Sequence, residues 1–406
     1  MAVGLLVAAL AAADAPPDHA PPFSLPALIA RAELRHPGAA AASAVVEAAA
    51  ARARAAAAWD NPELELTFGR ARPRDDERSA DHPFGLRATQ RLPWPGVRQA
   101  RVAAARSLVD QSSAAAAVFR LELSAQVRWA AISLATARLG AAQAAIEASV
   151  AEELHAAAGR AAAAGAVDQA TVHRVRLEVL TARTRQAAAQ RAVDRALTGL
   201  RLLCGDELPA DLTLAETVSL EPQALTAAGT TLLEHPRQAA LNAAIAWADR
   251  AIDAKRLARR PSLALGLSAD RDRENDTVML SVGLDLPLWD RNPGGIAAAA
   301  ADRRRAVAEL AAWDLERRQV IAEAIGAYAT AQAEAAALAR ESQPLAEEIV
   351  HLRTAAFATG AIALTEVLEA RRAALAVQAA LLDARRRAAE ALVRLGLARG
   401  GWEGLP

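Results

Sequence analysis

Glu366 and Glu369 stand three residues apart in the stretch "GAIALTEVLEA". In a helix that spacing puts both carboxylates on one face. There they can draw cations towards them, or simply pair with the arginines that follow, Arg371 and Arg372. Other chemistry-bearing residues form no comparable group. The seven histidines are scattered, His36 and His235 each beside a proline, and none belongs to a cluster with metal-ligand spacing. Cys204 is the only cysteine, which excludes an internal disulfide and any cysteine-based metal cluster. No nucleophile with its base, phosphate-cradling loop or paired catalytic carboxylates can be read. We therefore expect no catalytic residue, no metal site and no cofactor, and not an enzyme.

The elements that would position the two glutamates follow from composition and periodicity. Hydrophobic residues make up 53% of the 406, but aromatics only 3%, and alanine dominates. High helix propensity with prolines confined to a few clusters predicts long helices packed through small side chains. Basic and acidic residues balance at 47 each, so the cationic excess that would hold nucleic acid is missing. At the N-terminus the apolar run Val3 to Ala13 ends in small residues before a Pro-rich stretch, the outline of a signal peptide over residues 1–15. No later stretch of ~18 uninterrupted apolar residues exists to make a transmembrane helix.

The chain is written twice. His36-Pro37 matches His235-Pro236 and Pro62 matches Pro261, both at an offset of 199 (235 − 36 and 261 − 62). Farther on, Val150 to Leu154 matches Leu345 to Ile349, and Gly165-Ala166-Val167 matches Gly360-Ala361-Ile362, both at 195 (345 − 150 and 360 − 165). Two structural repeats are expected, 16–219 and 220–406, differing in length within a polar loop that begins at Gly69 in the first.

Each repeat reads as a helix, two strands, a very long helix, a glycine-marked turn and a return helix. The first helix spans about Leu25 to Trp59, and its counterpart about Glu221 to Arg260, each interrupted near His-Pro. Alternation at period two predicts strands at about 62–70 and 84–92, then 262–270 and 277–286. Long helices follow at about 97–158 and 295–359, the second kinked at Pro344, with return helices at about 168–203 and 364–397.

Strands of ~9–11 residues with one apolar face suit a tilted crossing of a bilayer, although a soluble hairpin alternates in the same way. Trp59 precedes the first strand, and Trp94 and Trp289 follow the second and fourth, so all three mark one end of the hairpins. That is where an interfacial belt places tryptophan, and where a helix-strand junction would bury it. Four strands cannot close a barrel, and open edges in lipid cost several kcal/mol per unpaired group, so the chain must oligomerise.

The stretches "NPELELTF", "RLPWPGVRQARVAAA", "DLPLWDRNPGGIAAAAADRR" and "QPLAEEIVHLRTAAFATGAIALTEVLEARRAAL" together resemble the TolC-like outer-membrane efflux channel family, and within it the heavy-metal-efflux, CzcC-type branch. The resemblance implies a mainly α fold with four transmembrane β-strands per chain. In it a homotrimer forms a twelve-stranded outer-membrane barrel, and long antiparallel coiled-coil hairpins form a periplasmic tunnel. It further implies a passive exit duct docked to a periplasmic adaptor protein and an inner-membrane pump of the resistance-nodulation-division type, carrying divalent heavy-metal cations. On that pattern Gly165, Ala166, Val167 and Asp168, with Thr359, Gly360, Ala361 and Ile362, form the tips that meet the adaptor. Glu366 and Glu369 match a pair of aspartates ringing the family's constriction, so three copies would place six carboxylates around an opening that favours cations. Drug efflux or type I protein secretion through the same fold, or a soluble periplasmic coiled-coil scaffold, are the other readings.

Overall fold

The computed structural model describes residues 23–70, 82–165, 167–205, 207–209, 212, 220–226, 229, 231–273 and 275–405. The expected signal segment 1–15, the core of the polar loop in the first repeat and Ala166 lie outside them. The elements run α1 (Leu25–Arg35), α2 (Pro37–Ala57), β1 (Glu63–Phe68), β2 (Phe84–Pro93), α3 (Val97–Ala163), α4 (Gln169–Cys204), α5 (Pro236–Leu257), β3 (Ser262–Arg271) and β4 (Asp276–Asp285). Then come α6 (Pro293–Ala337), a π-helical turn (Leu338–Ser342), α7 (Gln343–Ala358) and α8 (Leu364–Arg399). None of the helices among the described residues is long and apolar enough to cross a membrane. Two compact units result, one built from Ala41–Val118 and Pro236–Glu316, the other from Met1–Ala40, Phe119–His235 and Arg317–Pro406.

The first unit carries the sheet, with strand order β1-β2-β3-β4 and every neighbouring pair antiparallel. The two hairpins therefore join through β2 and β3, which come from different repeats. Register turns the alternation of each strand into two continuous faces. Leu64 lies opposite Ala88, Ala88 opposite Leu267, and Leu267 opposite Leu280, while Leu66, Leu86, Ala269 and Val278 form the next row. The opposite face carries rows such as Glu65, Arg87, Ser268 and Met279, and Arg87 pairs with Glu65 at 3.5 Å. The apolar face is uncovered, with Leu64, Leu280 and Val278 each about 70% exposed. Moving one such side chain from water into hydrocarbon gains about 1.5–3 kcal/mol, so a whole face of them favours a lipid surround over water. β1 and β4 are the two margins of the sheet, each with one backbone edge unpaired among the described residues.

The second unit is helical and packs largely through alanine and leucine. Leu28 and Ala32 of α1 meet Leu123, Val127 and Leu134 of α3 and Leu197, Leu200 and Cys204 of α4 in one buried cluster. Burial pushes the Cys204 thiol up to about 11, so it stays protonated and unreactive at neutral pH. α3 runs 67 residues without a break, about 100 Å at 1.5 Å per residue. In the second repeat the long helix is interrupted just before Pro344, where sequence places a kink. One π-helical turn absorbs the missing donor, and α7 restarts with proline in its first turn, where no amide is needed.

The helix expected from Glu221 is a correction. Residues 220–226 and 231–235 are not helical, and α5 begins at Pro236. Side chains from distant helices capture the carbonyls that a helix would use. The Tyr328 hydroxyl donates to Gln223 O, Arg399 Nε to Thr231 O at 2.8 Å, and Arg317 to Leu233 O at 3.0 Å. Arg317 also donates to Ala398 O and Arg399 O, both at 2.9 Å, which pins the end of α8 to this segment.

Candidate functional site

The two helical hairpins turn at matching glycines. Gly165 has φ 74° and Gly360 φ 76°, a left-handed conformation that a side chain would strain. At the second turn Ala361 N donates to Ala356 O at 2.9 Å and Gly360 N to Phe357 O at 3.0 Å, so the glycine closes α7 as its C-terminal cap. Gly165, Asp168, Thr359, Gly360 and Ala361 are exposed, and Val167 and Ile362 are half-buried. Ile362 packs on a buried cluster of Leu154, Ala158, Val175, Leu364, Val367 and Leu368, so residues of both hairpins share one core just behind the turns.

The return helices start differently. Asp168 caps α4, its Oδ1 accepting from Thr171 N at 2.9 Å and from the Thr171 hydroxyl at 2.5 Å. The hydroxyl donation holds the Asp168 carboxyl below its ordinary range. In α8 the cap position is Ala363, extended at φ −77° and ψ 151° but with no side-chain acceptor.

Glu366 sits in the first turn of α8, half-exposed, and its Oε2 accepts from the Arg353 guanidinium of α7. Glu369 is exposed one turn later. The partners open to them in the sequence are therefore taken otherwise. Arg372 reaches Glu178 of α4, which joins the second hairpin to the first. Arg371 is partly buried, burial lowers its pKa while Glu153 opposes that shift, and its Nε has no hydrogen-bond partner. Sequence reasoning missed Arg353, 13 residues upstream on another helix, because no local spacing signals a pair across a turn.

At the sheet, Trp59, Trp94 and Trp289 stand at the end where β1 begins and β2 and β4 finish, 58%, 36% and 94% exposed. Arg98 stacks on the Trp59 ring at 4.7 Å and donates to Ala57 O at 2.6 Å. Among the described residues no group of His, Cys, Asp and Glu has metal-holding geometry, and nothing in the arrangement brings a nucleophile to a base. What the geometry offers is a lipid-compatible sheet in one unit and, in the other, long helices whose exposed turns carry acidic groups.

Known proteins share this arrangement. The family model described as "Outer membrane efflux protein" matches residues 28–206 and 228–401. The cobalt-zinc-cadmium resistance protein CzcC of Cupriavidus metallidurans is 24% identical over 361 residues, covering 88% of this chain and 85% of that one. Crystal structures of CusC superpose with a TM-score of 0.80 at 18% identity, covering 93% and 92% of the two chains. The outer membrane protein VceC of Vibrio cholerae does so with 0.76 at 20% identity, covering 93% and 97%. The chain belongs to the outer membrane efflux protein family, as a channel of tripartite efflux systems that sits in the outer membrane with a periplasmic tunnel, and not as an enzyme.

Proposed function

We propose that this channel is the exit duct for divalent heavy-metal cations, working as a homotrimer with a periplasmic adaptor and an inner-membrane pump of the resistance-nodulation-division type. The relationship to a cobalt-zinc-cadmium resistance protein, across 88% of the chain, is the observation that carries the substrate class. On this reading residues 1–15 are a signal peptide, and the repeats 16–219 and 220–406 each supply one hairpin of strands and one of helices. Three copies pair β1 of one chain with β4 of the next, which satisfies both open edges and gives twelve strands. The uncovered apolar face then meets lipid, and Trp59, Trp94 and Trp289 lie at the periplasmic interface.

The tips, Gly165 to Asp168 and Thr359 to Ile362, receive the adaptor. Glu366 and Glu369 line the constriction, with Glu366 steadied by Arg353, so that six carboxylates favour cations over anions. Deletion of the gene should raise sensitivity to cobalt, zinc and cadmium more than to hydrophobic drugs. Unchanged metal tolerance with heightened drug sensitivity would replace this substrate class by the drug-efflux reading. In planar-bilayer recordings Glu366→Gln with Glu369→Gln should move the reversal potential under a salt gradient towards zero selectivity. An unchanged potential would place both acids away from the constriction.

A further inference from the structure

The two repeats treat the sheet margin in opposite ways. In the first repeat two of the cations near it are turned onto the protein. Arg98 and Arg101 donate to the carbonyls of Ala57, Ala56 and Ala58 at the frayed end of α2, and Arg98 covers the Trp59 ring. In the second repeat the run "DAKRLARRP" ends α5 and leads into β3, and its Lys255, Arg256, Arg259 and Arg260 are all exposed. The matching positions at the offset of 199 are Ala56, Ala57, Asp60 and Asn61, so the duplication does not account for the run.

A helix C-terminus favours one or two cations through its dipole, which would explain Lys255 and Arg256 in the last turn. Arg259 and Arg260 lie beyond it, in the turn before Ser262. Lys255, Arg259, Arg260 and Arg291 make no side-chain hydrogen bond to the described residues, and Arg256 has only Asp253 at 3.8 Å.

The run does not stand alone. Ser262 is paired with Asp285, so the start of β3 lies beside the end of β4 and the segment that follows it. Asn292 Nδ2 donates to Lys255 O at 3.5 Å and ties that segment back to the end of α5. Within it Leu286, Leu288 and Trp289 are exposed at 52%, 58% and 94%, and Arg291 is exposed beside them. The carboxylates within these same segments are Asp253, Asp285 and Asp290. Asp285 accepts from the Ser262 hydroxyl at 3.4 Å and Asp290 from Asn292 N at 2.7 Å. Five exposed cations thus border an exposed aromatic and aliphatic lip at the foot of an apolar sheet face. Apolar groups entering hydrocarbon with cations held one layer outward match the layering of an anionic bilayer surface.

We propose that Lys255, Arg256, Arg259, Arg260 and Arg291 form a binding site for the phosphate headgroups of anionic glycerophospholipids in the periplasmic leaflet, anchored by insertion of Leu288 and Trp289. The site rests on the reading that the sheet crosses the membrane with its tryptophan end at the periplasmic interface. It adds a lipid selectivity that an aromatic belt alone does not confer. Because only the second repeat carries it, each chain presents one such site.

The test uses the full-length channel, with phosphatidylglycerol, phosphatidylcholine and lipid A offered separately in mixed micelles. A variant carrying Lys255→Gln, Arg256→Gln, Arg259→Gln and Arg260→Gln is compared with one that neutralises the same number of exposed arginines on α4, Arg174, Arg176, Arg191 and Arg195. The first variant should lose roughly tenfold or more of the apparent affinity for phosphatidylglycerol, with that for phosphatidylcholine unchanged and the second variant like the parent. Equal affinities in parent and first variant would overturn the site, as would an equal loss in both variants, or binding of lipid A phosphates without phosphatidylglycerol. Insertion is read separately, from the Trp289→Phe-sensitive part of fluorescence quenching by bromine-labelled phosphatidylcholine in reconstituted channels. Absence of that quenching would remove the membrane placement and the site together. Quenching without headgroup preference would remove the site alone.

Discussion

The two hairpin turns are copies that have diverged in how the return helix begins. At the first, Asp168 supplies a side-chain cap and the second residue of the pair, Thr171, completes it. At the second, Ala363 occupies the cap position and Glu366 occupies the place of Thr171, its carboxylate drawn to Arg353 on the preceding helix. One turn is held by local hydrogen bonds to backbone, the other by an ion pair between helices. The difference shows what placing acids at a helix start involves. A carboxylate that caps is consumed by the amides it satisfies, whereas Glu366, left out of the cap, remains available to the arginine of a neighbouring helix.

The largest effect should come from the core that the turns share. Leu364 is buried against Leu154, Ala158 and Val175, and Leu364→Ala should cost about 3 kcal/mol. Amide exchange should then speed up at both turns together. A rise confined to the second turn would mean that the hairpins are secured independently.

Ala363→Ser should be next in size. Its backbone already has the extended cap geometry, and with Glu366 three residues on, serine would create a capping box and stabilise the start of α8 by about 1 kcal/mol. Slower exchange of the first-turn amides of α8 would confirm the gain. Release of Arg353 in the same variant, seen as a shift of its guanidinium resonance, would show that capping and the ion pair compete for Glu366.

Asp168→Ala should fray the first turn of α4 and leave α8 unaffected, visible as faster exchange at Thr171. The pH dependence carries the same signature. The Asp168 carboxyl titrates below its ordinary range, so its contribution is full above the unfolded-state value near pH 4 and is lost as pH falls through the lower folded value. Protection at Thr171, corrected for intrinsic exchange, should therefore decline only in acid, and Asp168→Asn should flatten that decline.

The smallest effect belongs to the ion pair itself. Arg353 and Glu366 are each close to half-exposed, and Arg353→Ala should cost no more than about 0.5 kcal/mol. Its consequence should appear in orientation rather than stability, as increased mobility of the Glu366 side chain with an unchanged melting temperature. A marked fall in melting temperature would show that the second turn relies on the pair far more than exposed geometry allows.

Much of the architecture was legible in the residues. Period-two alternation in "PSLALGLSAD" and "TVMLSVGLDL" marks the strands, and the proline-free run after Pro95 marks α3, because both patterns are set by each residue's own neighbours. The matched His-Pro and Gly-Ala pairs reveal the duplication. The segment 220–235 was not legible. Its sequence allows a helix, and only Tyr328, Arg317 and Arg399, at least 80 residues away, take its carbonyls out of that competition. The glutamate pair was legible as a pair, but its partner was not. The basic run before β3 is plain in the sequence, yet only the turn of Asn292 onto Lys255 puts it beside Trp289.

By itself, then, the sequence determined the inventory: four amphipathic strands, long alanine-rich helices, two copies of one plan and the turns between them. These follow from local periodicity and from proline and glycine, which act on the backbone where they stand. The tertiary structure decided the adjacencies. It joined β2 to β3 across the repeats and aligned separate alternations into one apolar face. It also gave Glu366 to Arg353 and closed the end of α8 with Arg317. Those choices depend on which surfaces meet after long loops have closed, and no window of neighbouring residues contains that information.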